Sequence, residues 1–152
     1  SSSHPRGTIA LSEQLAKKSI GLIDAPVSGG QKKASIGTLM IMVGGDKENL
    51  DRIRTLLECF GSIAHVGPLG TGHAMKALNN YVSAAGLLAS MQALATAQSF
   101  SIHPKTFTEV INGSTGRNNT TEVKLEPFII ISAPRAAFFC PPGPPILIPS
   151  GF

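Results

Sequence analysis

"TLMIMVGGDKENLDRIRTLLECFGSIAHV", residues 38–66, decides the fold. Its first six residues are apolar enough, and β-branched or flexible enough, to read as a clear strand, and two glycines break it. Asp46 then stands at an N-cap position, with Leu50, Ile53, Leu57 and Phe60 spaced onto one face of a helix that Gly61 ends. "IAHV", 63–66, is a second strand. Strand, helix, strand is the unit of a parallel sheet, so the expected class is α/β.

Working outward, Thr8 to Lys18 has helical apolar spacing at Ile9, Leu11, Leu15 and Ala16, and "GLID", 21–24, reads as a short buried strand of the same sheet. Downstream, only Gly86 interrupts a helix predicted from Gly72 to Phe100, where Met75, Leu78, Val82, Ala85, Leu88 and Met91 recur at spacings of three and four. Its middle, "SAAGLLASMQALATA", is apolar nearly all round, which predicts burial in a helical domain or between subunits. Gln92 interrupts the run before it reaches the ~20 residues of a membrane span, so no membrane partner is expected. "PKTFTEVING", 104–113, is a short helix closed by Gly113. After Phe128 the chain holds six of its eleven prolines and no periodicity, and no regular element is expected there.

A composition of 42% hydrophobic and 14% charged residues excludes general disorder. The formal charge of +4 is scattered, its densest clusters being Lys17-Lys18 and Lys32-Lys33, and no aromatic platform accompanies them, so nucleic acid is not an expected partner. Two cysteines, Cys59 and Cys140, are too few for a disulfide framework or a zinc site; a reducing compartment and no metal fit. No charged leader precedes an apolar stretch, and the sequons at Asn112, Asn118 and Asn119 read as chance. "SSSHP" without an initiating Met reads as the middle of a longer chain.

Two stretches can carry chemistry. In "GPLGTGHAMKALNN", 67–80, three glycines follow a strand and open a helix, the setting of a phosphate cradle, but neither the Gly-x-Gly-x-x-Gly spacing nor a Lys-Ser/Thr ending is present. Lys76, Asn79 and Asn80 fall on adjacent helical positions, presenting an ammonium and two amides. Such a lysine is either a solvated surface group or, if desolvated, a proton donor and acceptor. "DAPVSGG", 24–30, adds an acidic residue, a rigid proline, a hydroxyl and two glycines with exposed N–H groups; it is either a plain turn or a carboxylate holder.

Taken together, "DAPVSGGQKKASIGTLMIMVGG", "GPLGTGHAMKALNN" and "INGSTGR" resemble the β-hydroxyacid dehydrogenases, the family of 3-hydroxyisobutyrate dehydrogenase and tartronate semialdehyde reductase, over roughly residues 1 to 128. The resemblance implies the later part of a Rossmann-type NAD(P)-binding domain (1–67), then a partial all-α domain (68–128) led by a long interdomain helix, then an irregular Pro-rich tail (129–152) foreign to the family. It implies hydride transfer between NAD or NADP and a small β-hydroxy acid, with Lys76 as general acid/base and Asn80 orienting the substrate oxygen. Ser28, Gly29 and Gly30 would bind the substrate carboxylate, Ser2 would line the nicotinamide pocket, and Asn112 to Arg117 would approach from the helical domain.

The family's pyrophosphate-gripping glycine loop and its C-terminal helices have no counterpart here, so the chain is expected to be a fragment that is poorly active alone. Ser83 stands where decarboxylating members carry a glutamate, which disfavours decarboxylation. A cytoplasmic location, or a mitochondrial matrix in a eukaryote, and a homo-oligomeric parent are expected. The alternative is a non-catalytic remnant that keeps only a helix-packing, oligomerising role.

Overall fold

The computed structural model describes residues 3–130, with side chains through Leu125. Two compact units divide the chain, Ser1–Tyr81 and Val82–Phe152. In the first, helix α1 (Pro5–Ala16) precedes strand β1 (Val27–Ser28), the short helix α2 (Gly30–Ser35), strand β2 (Leu39–Gly44), helix α3 (Lys47–Glu58) and strand β3 (Gly61–Gly67). Helix α4, Thr71–Ser99, begins in this unit.

β2 and β3 pair in parallel, in register from Leu39 opposite Gly61 to Val43 opposite His65, with α3 as the crossover. This is the unit predicted from residues 38–66. β2 lies between β1 and β3, so both of its edges are hydrogen-bonded and its side chains form the core. Leu39, Ile41 and Val43 alternate onto the face that meets Leu50 of α3, and Ile23, Val27, Leu57 and Ile63 pack around them. Ile53 and Phe60, expected on the same helix face, stay 37% and 53% exposed.

Four local expectations need correction. "GLID" is not a regular strand: only Asp24 bridges, antiparallel to Gly44. The reason is Pro26, which has no N–H to offer a ladder; its carbonyl instead accepts from Met42 N at 2.9 Å, and regular pairing begins at Val27 opposite Ile41, also antiparallel. Asp46 occupies the N-cap of α3, yet its side chain makes no capping bond. α3 ends at Glu58 rather than at Gly61, which already belongs to β3. Likewise α1 starts at Pro5, three residues before the expected Thr8, because a proline at the first helical position gives up an N–H that has no partner anyway.

The second unit contains α4 beyond Tyr81, helix α5 (Pro104–Asn112) and a π-helix, α6 (Thr120–Ile130), which packs on α5. Leu94, Ala97 and Leu125 are buried here together with Ser90, Thr108, Thr120 and Thr121. α4 matches its predicted span, and its middle, 83–97, is covered in part: Ser90, Leu94 and Ala97 are buried, whereas Leu88 is 59% exposed, as are Tyr81 (73%) and Val82 (68%) just before it. α6 runs two residues past Phe128, where regular structure was expected to stop. The Pro-rich remainder, 131–152, lies outside the described residues, as does Ser2.

Candidate active site

The turn between β3 and α4 is closed by a residue from far upstream. Asp24, only 3% exposed, accepts from Gly70 N through Oδ1 and from His73 N through Oδ2, both at 2.7 Å. These are the orphan amides of a helix start, the groups that would otherwise cradle an anion. Thr71 completes the turn, its Oγ1 donating to Pro68 O at 2.6 Å. The site of a phosphate in a glycine loop is therefore filled by the protein's own carboxylate.

Two glycines make room for it. A Cβ on Gly72 would stand 2.7 Å from Asp24 Oδ2, and one on Gly44 would stand 2.8 Å from Gly72 N. Asp24 is fixed in turn by Gly44, which accepts from Asp24 N at 2.9 Å and donates to Asp24 O at 2.8 Å. The glycines that looked like a ligand loop serve close backbone approach.

One turn into α4, Lys76 and Asn79 are half-buried and Asn80 is exposed. Among the described residues the Lys76 side chain makes no hydrogen bond or ion pair. His73 stands three positions before Lys76, on the same side of the helix, and its Nδ1 is buried without a partner.

The "DAPVSGG" segment leaves Asp24 directly toward the other predicted site residues. Ser28 closes β1 opposite Met40, half-buried. Gly29 and Gly30 follow at the start of α2, exposed, with φ of 141° and 66°. Gly29 has no room for a side chain, since a Cβ would lie 2.8 Å from Lys33 Cβ. Ser28, Gly29, Gly30, Lys76 and Asn80 all belong to the first unit.

In the second unit, Asn112 is the last residue of α5 and Gly113 its C-cap. Asn112 Nδ2 donates to Thr121 O at 3.1 Å, and Arg117 Nε lies 3.5 Å from Glu122 Oε1. Asn112, Ser114, Thr115 and Arg117 line an open depression of about 410 Å³.

Asp24 and the Asn118 side chain were missed as structural anchors by sequence reasoning. Asn118 Oδ1 accepts from Thr120 N at 2.9 Å and Thr121 N at 3.3 Å, and Nδ2 donates to Ser90 Oγ at 3.0 Å. An Asn two residues before a helix start was the available signal for the second. Nothing local signals the first, whose partners are 46 and 49 residues away.

Residues 1–70 match the family model described as the NAD binding domain of 6-phosphogluconate dehydrogenase. Residues 70–139 match the NAD-binding model of NADP-dependent 3-hydroxyisobutyrate dehydrogenase. The chain is 38% identical over 131 residues to 2-(hydroxymethyl)glutarate dehydrogenase of Eubacterium barkeri, covering 86% of this chain and 44% of that protein. Its structure is similar to that of 3-hydroxyisobutyrate dehydrogenase of Mycobacterium tuberculosis with L-serine, at a TM-score of 0.72 and 34% identity, covering 80% of this chain and 42% of that one. A similar fit is found to Psf3 in complex with NADP+ and 2-OPP, at a TM-score of 0.71 and 28% identity, covering 80% and 43%. The chain thus spans less than half the length of each of these relatives.

Proposed function

Because the chain belongs to the β-hydroxyacid dehydrogenase family, we propose that the protein carrying it oxidises small acids of the form HOCH2–CHR–COO⁻, using NAD or NADP as hydride acceptor. The names of the matched proteins support this class: 2-(hydroxymethyl)glutarate, 3-hydroxyisobutyrate and L-serine all place a primary alcohol on the carbon next to the one bearing the carboxylate. Only R differs among them.

The described residues fit the substrate side of such a reaction and not the cofactor's phosphates. The glycine-rich start of the long helix, Gly67–Gly72, is occupied by the Asp24 carboxylate. Contact with the nicotinamide from this chain falls to Ser2. NAD(P), when bound, supplies the hydride acceptor; the remaining steps belong to side chains of this chain.

Ser28 and the amides of Gly29 and Gly30 hold the substrate carboxylate, a role suited to an exposed turn in which both glycines have positive φ. Asn80 orients the alcohol oxygen. Lys76 takes the hydroxyl proton as the hydride leaves carbon, and returns it in the reverse direction. The single observation that carries this reading is the Asp24 link: the segment that becomes the Ser28–Gly30 turn is bonded to the start of the helix that presents Lys76. The exposed Tyr81, Val82 and Leu88 on α4 suit a homo-oligomer in which a second copy covers them. No helix among the described residues is long and apolar enough to cross a membrane.

The test is the absorbance of reduced nicotinamide formed from 3-hydroxyisobutyrate, L-serine or 2-(hydroxymethyl)glutarate, in the chain joined to a pyrophosphate-binding half from a relative. Turnover that is lost in Lys76→Ala supports the reading; turnover that survives it removes Lys76 from the chemistry.

A further inference from the structure

We infer that Asp24 is a positioning residue for Lys76: its carboxylate holds the helix that carries the lysine, while its own backbone leads into the turn that faces the substrate's acid group. The inference rests on the catalytic reading of Lys76 above and adds to it a residue that touches neither substrate nor cofactor.

A helix start needs partners for its first amides, and in an exposed turn water or a serine hydroxyl supplies them. Neither fixes the helix against rotation. Asp24 attaches at two points, Gly70 N and His73 N, each 2.7 Å from a different carboxylate oxygen. A hydroxyl has one oxygen and cannot span both. The cost of placing a carboxyl group at 3% exposure is offset only if both oxygens are bonded, as they are.

The second of these points bears directly on the lysine. His73 precedes Lys76 by three residues, so the amide that Asp24 grips lies one turn below the ammonium, on the same side of α4. Fixing His73 N fixes the direction in which Lys76 leaves the helix. At its other end Asp24 is immobile: two backbone bonds join it to Gly44, Pro26 O accepts from Met42 N, and Ser28 sits in register with Met40. The carboxylate-holding turn and the proton-transferring helix are thereby referred to one residue, and a displacement of ~1 Å between such groups is enough to cost about 10²-fold in rate.

The experiment reads Lys76 itself, in the full chain. Lysines are ¹³C-dimethylated, the Lys76 resonance is assigned by its loss in Lys76→Arg, and amide exchange is followed at Gly70 and His73. Asp24→Ala removes both acceptors; Asp24→Asn keeps the shape and removes one, and serves if the alanine variant does not fold. Thr71→Ala is the control, because it deletes a different bond of the same turn. Expected in the Asp24 variants are exchange faster by about 10- to 100-fold at Gly70 or His73, and a shifted Lys76 resonance, neither seen in Thr71→Ala. A Lys76 resonance unchanged in a cooperatively melting Asp24→Asn, or moved equally by Thr71→Ala, overturns the inference. Failure of the catalytic reading shows elsewhere, as turnover retained by Lys76→Ala.

Discussion

The amide of His73 donates to Asp24 Oδ2 at 2.7 Å across 49 residues of chain, and the amide of Gly70 donates to the other oxygen. At this helix start Asp24 takes two of the amides and Pro68 O accepts from Thr71 N, and the glycines of "GPLGTG" let backbone segments touch. What the turn delivers is a fixed first turn of α4, with Lys76 immediately beyond it.

Lys76→Ala should lower kcat by about 10²–10⁴-fold, the usual worth of a general acid/base, without loss of helix content. Lys76→Arg should be nearly as poor, because a guanidinium does not give up its proton near neutral pH. Steady-state rates beside circular dichroism of each variant check both. Equal rates for Lys76→Arg and the parent would show that charge alone is what the site needs.

Gly72→Ala should destabilise the first unit by ~1–3 kcal/mol, because the new methyl group would press on Asp24 Oδ2 and on its carbonyl at 2.7 and 2.9 Å. Gly7→Ala is the matched contrast. It lies inside α1 with nothing within 4 Å of its Cβ position, and should stabilise by roughly 0.5–1 kcal/mol through helix propensity. Denaturant midpoints of the two variants should move in opposite directions.

Leu50→Ala should cost ~2–5 kcal/mol, since Leu50 is fully buried against Leu39, Ile41 and Val43. Leu56→Ala, six positions on in α3 and 62% exposed, should change stability by no more than about 0.5 kcal/mol. Similar losses for the two would mean that the outer face of α3 is covered.

Much of this was legible in the sequence, and the boundary of what was not has a physical cause. The strand–helix–strand unit of 38–66 and the span of α4 follow from periodicity, which is a local property. The direction of the Asp24–Ser28 segment does not: it is set by antiparallel pairing with β2, which no local pattern reports, and Pro26 only interrupts that pairing. Burial along α4 is legible only in part, because an all-round apolar helix does not say which face its own domain covers: Ser90, Leu94 and Ala97 are buried and Tyr81 and Val82 are open. At the site, Lys76, Asn80 and Ser28 to Gly30 were named from motif resemblance, whereas Asp24 was seen only as part of a possible carboxylate holder. Its two partners are contacts of tertiary structure.

Asn118→Ala should destabilise the second unit by about 1–3 kcal/mol. In sequence Asn118 reads as an incidental sequon, but in the fold it is the hub of the α6 start. Its Oδ1 accepts from the amides of Thr120 and Thr121, its Nδ2 bonds Ser90 Oγ and Gly116 O, and its own amide donates to Thr121 Oγ1 at 3.0 Å. Thr120 and Thr121 are each 2% exposed, so amides released by the truncation would find little water to replace the lost acceptor. Asn119 is exposed and appears in none of these bonds, so Asn119→Ala should be near neutral. Amide exchange at Thr120 and Thr121 distinguishes the two variants. Faster exchange is expected in Asn118→Ala alone, and unchanged protection there would mean that α6 begins without its cap.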